Sequence, residues 1–114
     1  TQRSDCIVAE NIVRRWEARA PNSAVEEWLN GFRKIVLPIM QSTEGFVGVS
    51  IHVSRGEDPR HIAVFTTWEG EDALMQFAGP DLDVAVMPDW VAAIIPDHDT
   101  HATHYDEVLS ESNQ

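Results

Sequence analysis

Residues 25–39 read VEEWLNGFRKIVLPI. Val25, Trp28, Leu29, Phe32, Ile35, Val36 and Ile39 recur at three- and four-residue spacing, which puts them on one stripe of a helix. Pro38 lacks an N–H, so a kink is expected in the last turn. Upstream, Ser23 with Glu26 three residues later reads as a capping box, with Asn22 as the alternative cap. Before the Pro21-Asn22-Ser23 break, Cys6 to Glu17 interleaves Ile and Val with polar residues and reads as strand 1. After the helix, Gly45 opens a second strand, Phe46 to Ser54, in which Val47, Val49, Ile51 and Val53 alternate with Phe46, Gly48, Ser50 and His52. Arg55-Gly56-Glu57-Asp58-Pro59 is a turn by composition. His61 to Trp68 is then the return strand of a hairpin.

A second helix follows with Ala73, Leu74, Phe77 and Ala78 as its apolar face, ended by Gly79-Pro80. Asp81 to Met87 is expected to add a helical turn with Val84, Ala85 and Met87 inward. A short helix runs from Pro88-Asp89 to Ile94, Pro96 to Asp99 is a loop, and His101 to Leu109 is the last strand. The order β-α-β-β-α-β is the ferredoxin-like arrangement, an α+β fold with one antiparallel sheet and the helices on one face. One domain is expected over 1–114, with its core at about 6–109 and a frayed tail at 110–114.

The strands carry apolar residues on both faces. Ile7, Ala9 and Val13 share one face of strand 1, with Val8, Ile12 and Trp16 on the other; Ile62, Val64 and Trp68 oppose Ala63 and Phe65 in strand 3. One helix layer covers one face, and monomers rarely expose a large apolar patch. A homodimer packed sheet to sheet is therefore expected.

Composition narrows the partners. Eight Lys and Arg stand against 19 Asp and Glu, a net charge of −11, with 43% apolar residues. So acidic a chain repels phosphate, so neither nucleic acid nor a membrane is an expected partner. No apolar run approaches the roughly 20 residues of a membrane span. The single Cys6 excludes an internal disulfide and multi-cysteine metal sites. No leader is read at Thr1, and the cytoplasm is the expected compartment.

Leu37-Pro38, Gly45-Phe46-Val47-Gly48, Trp68 with Ala73 and Phe77-Ala78-Gly79, and His104-Tyr105 with Val108 together resemble the antibiotic biosynthesis monooxygenase (ABM) domain family. The resemblance spans roughly Ile7 to Leu109 and implies a dimeric α+β barrel. It implies the activities of that family: cofactor-independent oxygenation of phenols and quinols, haem degradation, or isomerisation of small signalling molecules. Ala9-Glu10-Asn11 resembles the haem-degrading branch. That branch adds a Trp on the second helix and a His about ten residues later, where this chain has Phe77 and Met87. The protein ligand for haem iron is thus missing at that position.

The candidate site follows. Asn11, an amide on an apolar strand face, would orient a substrate oxygen, and His52 or His104 would take its proton. Trp68, Phe77, Met87 and Trp90 would wall an apolar pocket for a planar aromatic. His98, His101 and His104 lie close in sequence. A spacing of three on a strand points side chains to opposite faces, so no metal site is expected. The expected function is a cofactor-free monooxygenase of a small hydroxylated aromatic or quinol. The alternatives are a ligand-binding or stress-response dimer without turnover, and haem binding or degradation.

Overall fold

The computed structural model describes residues 11–85 and 88–111. The strand residues expected from Cys6 to Glu10, and Met87, lie outside them. The elements run β1 (Ile12–Ala20), α1 (Asn22–Gly31), a π-helical turn (Phe32–Val36), α2 (Leu37–Gln41), β2 (Phe46–Val53), β3 (Arg60–Trp68), α3 (Glu71–Ala78), α4 (Asp89–Ile94), β4 (Asp97–His98) and β5 (Thr103–Asp106). All strand pairs are antiparallel. The sheet order is β2-β3-β1, with β4 and β5 sharing the far side of β1. This is the expected α+β ferredoxin-like topology.

Register assigns the faces. Ile12 pairs with Trp68, Arg14 with Thr66, Trp16 with Val64 and Ala18 with Ile62, and this even-numbered set faces the helices. The core there is Ala18, Ala20, Ile62, Val64 and Trp68, packed against Trp28, Phe32 and Met40 from the long helix and Leu74 from α3. The odd-numbered set faces outward. It is not the apolar sheet expected: Val13, Ala63, Phe65 and Tyr105 form a band among Arg15, Glu17, Arg19 and His61. The second face is amphipathic because alternate positions beside the apolar residues carry charge.

Several boundaries differ from expectation, each for a local reason. Strand β1 continues three residues past Glu17, because Ala18 and Ala20 are fully buried beneath the helices. Neither Ser23 nor Asn22 caps α1. Pro21 holds the cap position, and Asp58 from the β2–β3 turn accepts the Asn22 N–H at 3.2 Å. Pro38 acts upstream of the last turn. Leu37 N–H reaches back five residues to Phe32 C=O, widening the turn ahead of a proline that has no N–H to give. A bulge at Val47 turns Phe46 onto the core face with Val49 and leaves Val47 exposed.

Residues 81–85 are not helical. Arg14 takes the carbonyls of Leu82 and Val84, Ala102 N–H takes that of Asp83, and Ala85 N–H goes to Thr100. Those carbonyls are spent across the fold rather than along a helix, and Val84 is 44% exposed instead of inward. The expected loop at 96–99 contains β4, which pairs with Ala18 and Arg19. The last strand shrinks to Thr103–Asp106, and Val108 and Leu109 beyond it are exposed. No helix among the described residues is long and apolar enough to cross a membrane.

Candidate functional site

The long helix from α1 to α2 lies over the sheet's inner face and leaves a cavity of about 250 Å³ between them. Its walls are aromatic: Trp16 from β1, Trp28 and Phe32 from the helix, Phe77 from α3. Trp28 bridges two of these rings, 6.4 Å from Trp16 and 5.6 Å from Phe32. The partly exposed Ile35 and Ile39 line the helix side, which marks them as the mouth. The widened turn at 32–36 lies in this same wall.

Two polar side chains enter the lining, Arg14 and Thr66, which face each other across β1 and β3. Both are buried, at 5% and 3% exposure. The Thr66 hydroxyl accepts from Trp68 Nε1 at 2.9 Å and keeps its own proton to donate. Arg14 donates through Nη1 to Leu82 C=O and through Nη2 to Val84 C=O, both at 2.9 Å. Burial pulls its guanidinium below the usual arginine value, and the charge of Asp83 partly opposes this. Arginine stays cationic at any working pH.

His104 on β5 stands across the ladder from Arg14, its Nε2 3.4 Å from Arg14 Nη1. Burial first, and then the neighbouring Arg14 cation, lower its pKa; Asp83, with an oxygen 3.8 Å from Nδ1, pulls the other way. His104 lines a second, more polar hollow with Glu71, Asp83, Tyr105 and Asp106, so the Arg14–His104 pair stands between the two spaces.

The residues singled out from sequence separate in the structure. Phe77 lines the cavity. Trp68 sits behind it, fully buried, stacked on Phe77 at 5.1 Å. Trp90 packs over Gly31, and its Nε1 is buried with no hydrogen-bond partner among the described residues. Asn11 donates to Glu107 Oε1 at 3.2 Å and is not part of the lining. His52 is on the outer face, bonded to Ser50 Oγ at 2.7 Å and edge-on to Phe65. Of the three candidate polar residues, only His104 adjoins the cavity's polar end. Met87 lies outside the described residues. Among the described residues, no three His, Cys, Asp or Glu side chains converge on one point.

Arg14 and Thr66 are the functional candidates that the sequence reading passed over. The signal was present: a cation stands in the middle of the even-numbered apolar run of Ile12, Trp16 and Ala18.

No protein-family model and no curated protein matches the chain. Solved structures do. A heme-degrading protein from Mycobacterium tuberculosis is similar at 18% identity and TM-score 0.58, over 92% of this chain and 99% of that one. A candidate antibiotic biosynthesis monooxygenase from Bacillus cereus is similar at 17% identity and TM-score 0.54, over 91% and 99%. A dimeric ferredoxin-like protein from an uncultured marine organism is similar at 9% identity and TM-score 0.61, over 89% and 98%. At these identities the likeness establishes the fold.

Proposed function

From the ferredoxin-like fold that this chain shares with antibiotic biosynthesis monooxygenase domains, we propose that it binds a small hydroxylated aromatic beneath the long helix and oxygenates it without a cofactor. The observation that carries this reading is the aromatic-walled cavity with a buried cation and a hydroxyl in its lining. About 250 Å³ lies below the roughly 300–1,000 Å³ of drug-sized pockets, so the ligand is one small ring system.

The substrate hydroxyl loses its proton, and Arg14 with Thr66 holds the oxyanion in a dry, low-dielectric setting where such donors count most. The ring carbon para to it becomes the electron donor to molecular oxygen. A carbon–oxygen bond forms, and the hydroperoxide loses water to leave a quinone. One oxygen atom enters the product and the other leaves as water. Aromatic walls hold the ring plane and exclude solvent. The proton leaves to water, because His104, kept neutral by burial and Arg14, spends its one acceptor nitrogen on Arg14 Nη1; Asn11 and His52 take no part in the cavity.

A second reading, binding without turnover, is favoured by one observation: among the described residues, no titratable base lines the cavity. Haem chemistry has less support. Neither the volume nor the described lining, which lacks His, Cys and Tyr, suits an iron porphyrin.

The proposal includes a homodimer through the band of Val13, Ala63, Phe65 and Tyr105, supported by the dimeric ferredoxin-like neighbour. An oxygen electrode with a panel of phenols, 1-naphthols and anthrones that carry hydrogen para to the oxygen, read with a peroxide assay, tests the reaction. Stoichiometric oxygen uptake supports it. Tryptophan quenching with no oxygen uptake replaces it with the binding reading.

A further inference from the structure

We propose that the cavity selects anions: its ligand carries a negatively charged oxygen, a phenolate or a ring carboxylate, and Arg14 is its counter-ion and the residue that sets this specificity. This rests on the reading that the cavity takes a small planar aromatic, and adds the charge that ligand must bring.

Three arginines occupy β1. Arg15 lies 3.4 Å from Glu17, and Arg19 lies 3.1 Å from Asp97 and 3.4 Å from Asp99. These two are partly exposed and paired. Arg14 is the buried one, and among the described residues no carboxylate comes within 4 Å of it. Asp83 acts on it only from a distance and is itself 79% exposed. Among the described residues, the most deeply buried arginine has no counter-charge beside it.

Structure alone does not require that charge. The two carbonyls of the 82–84 turn need donors, and a neutral amide supplies donors without the desolvation penalty of a buried cation. Nor does His104 neutralise Arg14; it is an uncharged acceptor at best. Guanidinium has five N–H donors, and three meet Leu82, Val84 and His104, which leaves about two among the described residues. Thr66 adds a hydroxyl from across the ladder. An oxyanion at this end of an otherwise apolar lining receives donors and charge at once. A neutral ligand receives only the donors.

The test uses the full chain and the fluorescence of Trp16 and Trp28, which line the cavity. 2-Naphthoate and 2-naphthamide are matched in shape and differ in charge. The wild type is expected to bind the anion at least ~10-fold more tightly at neutral pH, the ratio of one charge-assisted hydrogen bond. Arg14→Gln is expected to bring the two affinities within about twofold of each other, and Arg14→Lys to retain part of the preference. A measurement on the wild type alone guards against a variant that fails to fold. Bound 4-nitrophenol, followed by its absorbance, should titrate at least about one unit below the free phenol, since tenfold selectivity for the anion is one unit by linkage. Equal affinities in the wild type, preference for the amide, an anion preference that survives Arg14→Gln, or binding of neither compound would overturn the proposal. Anion-selective binding without oxygen uptake would sink the oxygenase reading and leave this one standing. Oxygen uptake with charge-blind binding would do the reverse.

Discussion

Replacing Arg14 by Met separates a charge kept for a ligand from a structural pin. Met reaches about as far and carries no charge. Its removal of the guanidinium returns a desolvation penalty that amounts to several kcal/mol for a buried ion. Against this stand the two carbonyls Arg14 now satisfies, at about 1–3 kcal/mol each if left unpaired and dry. Both bonds are part-buried, so each carbonyl bears only part of that cost. The balance is a gain of about 0–2 kcal/mol, up to roughly 8 °C in Tm for a domain of this size. Urea unfolding followed by tryptophan fluorescence and far-ultraviolet circular dichroism measures it, with an unchanged m-value required for the comparison. The variant should be at least as stable as the parent and poorer at holding an anion. A loss of about 3 kcal/mol or more would refute this reasoning, because Arg14 would then serve to fasten the 82–84 turn.

Three further outcomes are expected. His104 sits below its ordinary value of 6.5, chiefly through burial and then through Arg14, with Asp83 opposing. The unfolded chain therefore binds more protons between the folded pKa and 6.5; this group's contribution is full above 6.5 and is lost as pH falls through the folded value. Glu71, Tyr105 and Asp106 line the same hollow, so the His104→Gln variant isolates the effect: stability curves of parent and variant should diverge below pH 6.5, and parallel curves would count against it. Gly31→Ala gains about 1 kcal/mol of helix propensity but drives a Cβ into the Trp90 ring, so a net loss of about 1–2 kcal/mol is expected in thermal melts. Phe65→Glu, on the outer face, should convert a dimer to a monomer in sedimentation while leaving ligand-induced tryptophan quenching intact; a dimer that persists would place the contact elsewhere.

Legibility in the sequence tracked the range of the forces at work. The stripe from Val25 to Ile39 and the Phe46–Trp68 hairpin are local patterns, and both form within a residue or so of the expected bounds. The 81–85 segment was misread because its carbonyls answer to Arg14 and Ala102, both distant in sequence, and no local propensity records that. Strand β4 is two residues long, too short for any alternation to register.

The site shows the same division. Alternation along the strand puts Asn11 on the face of Val13. Apolar residues on both faces of strand 1 concealed which face was the core, and with it whether Asn11 or Arg14 pointed beneath the helix. Register with β3 resolves this, since Arg14 meets the buried Thr66 and Val13 meets Thr67. Phe77 was found because it belongs to a helical stripe. Arg14 is not legible in the sequence as a core-facing residue, because a cation breaks the apolar alternation that marks such a strand.

The central claim is that a ligand sits under the long helix beside Arg14. Proton–nitrogen correlation spectra of the labelled full chain, recorded while adding 2-naphthoate, test it most directly. The Arg14 Nε–H signal, the Trp16 and Trp28 indole signals and the Thr66 amide are expected to shift together and saturate at one equivalent. Shifts confined to outer-face residues such as Asn11, His52 and Phe65, with the Arg14 and indole signals unmoved, would contradict it.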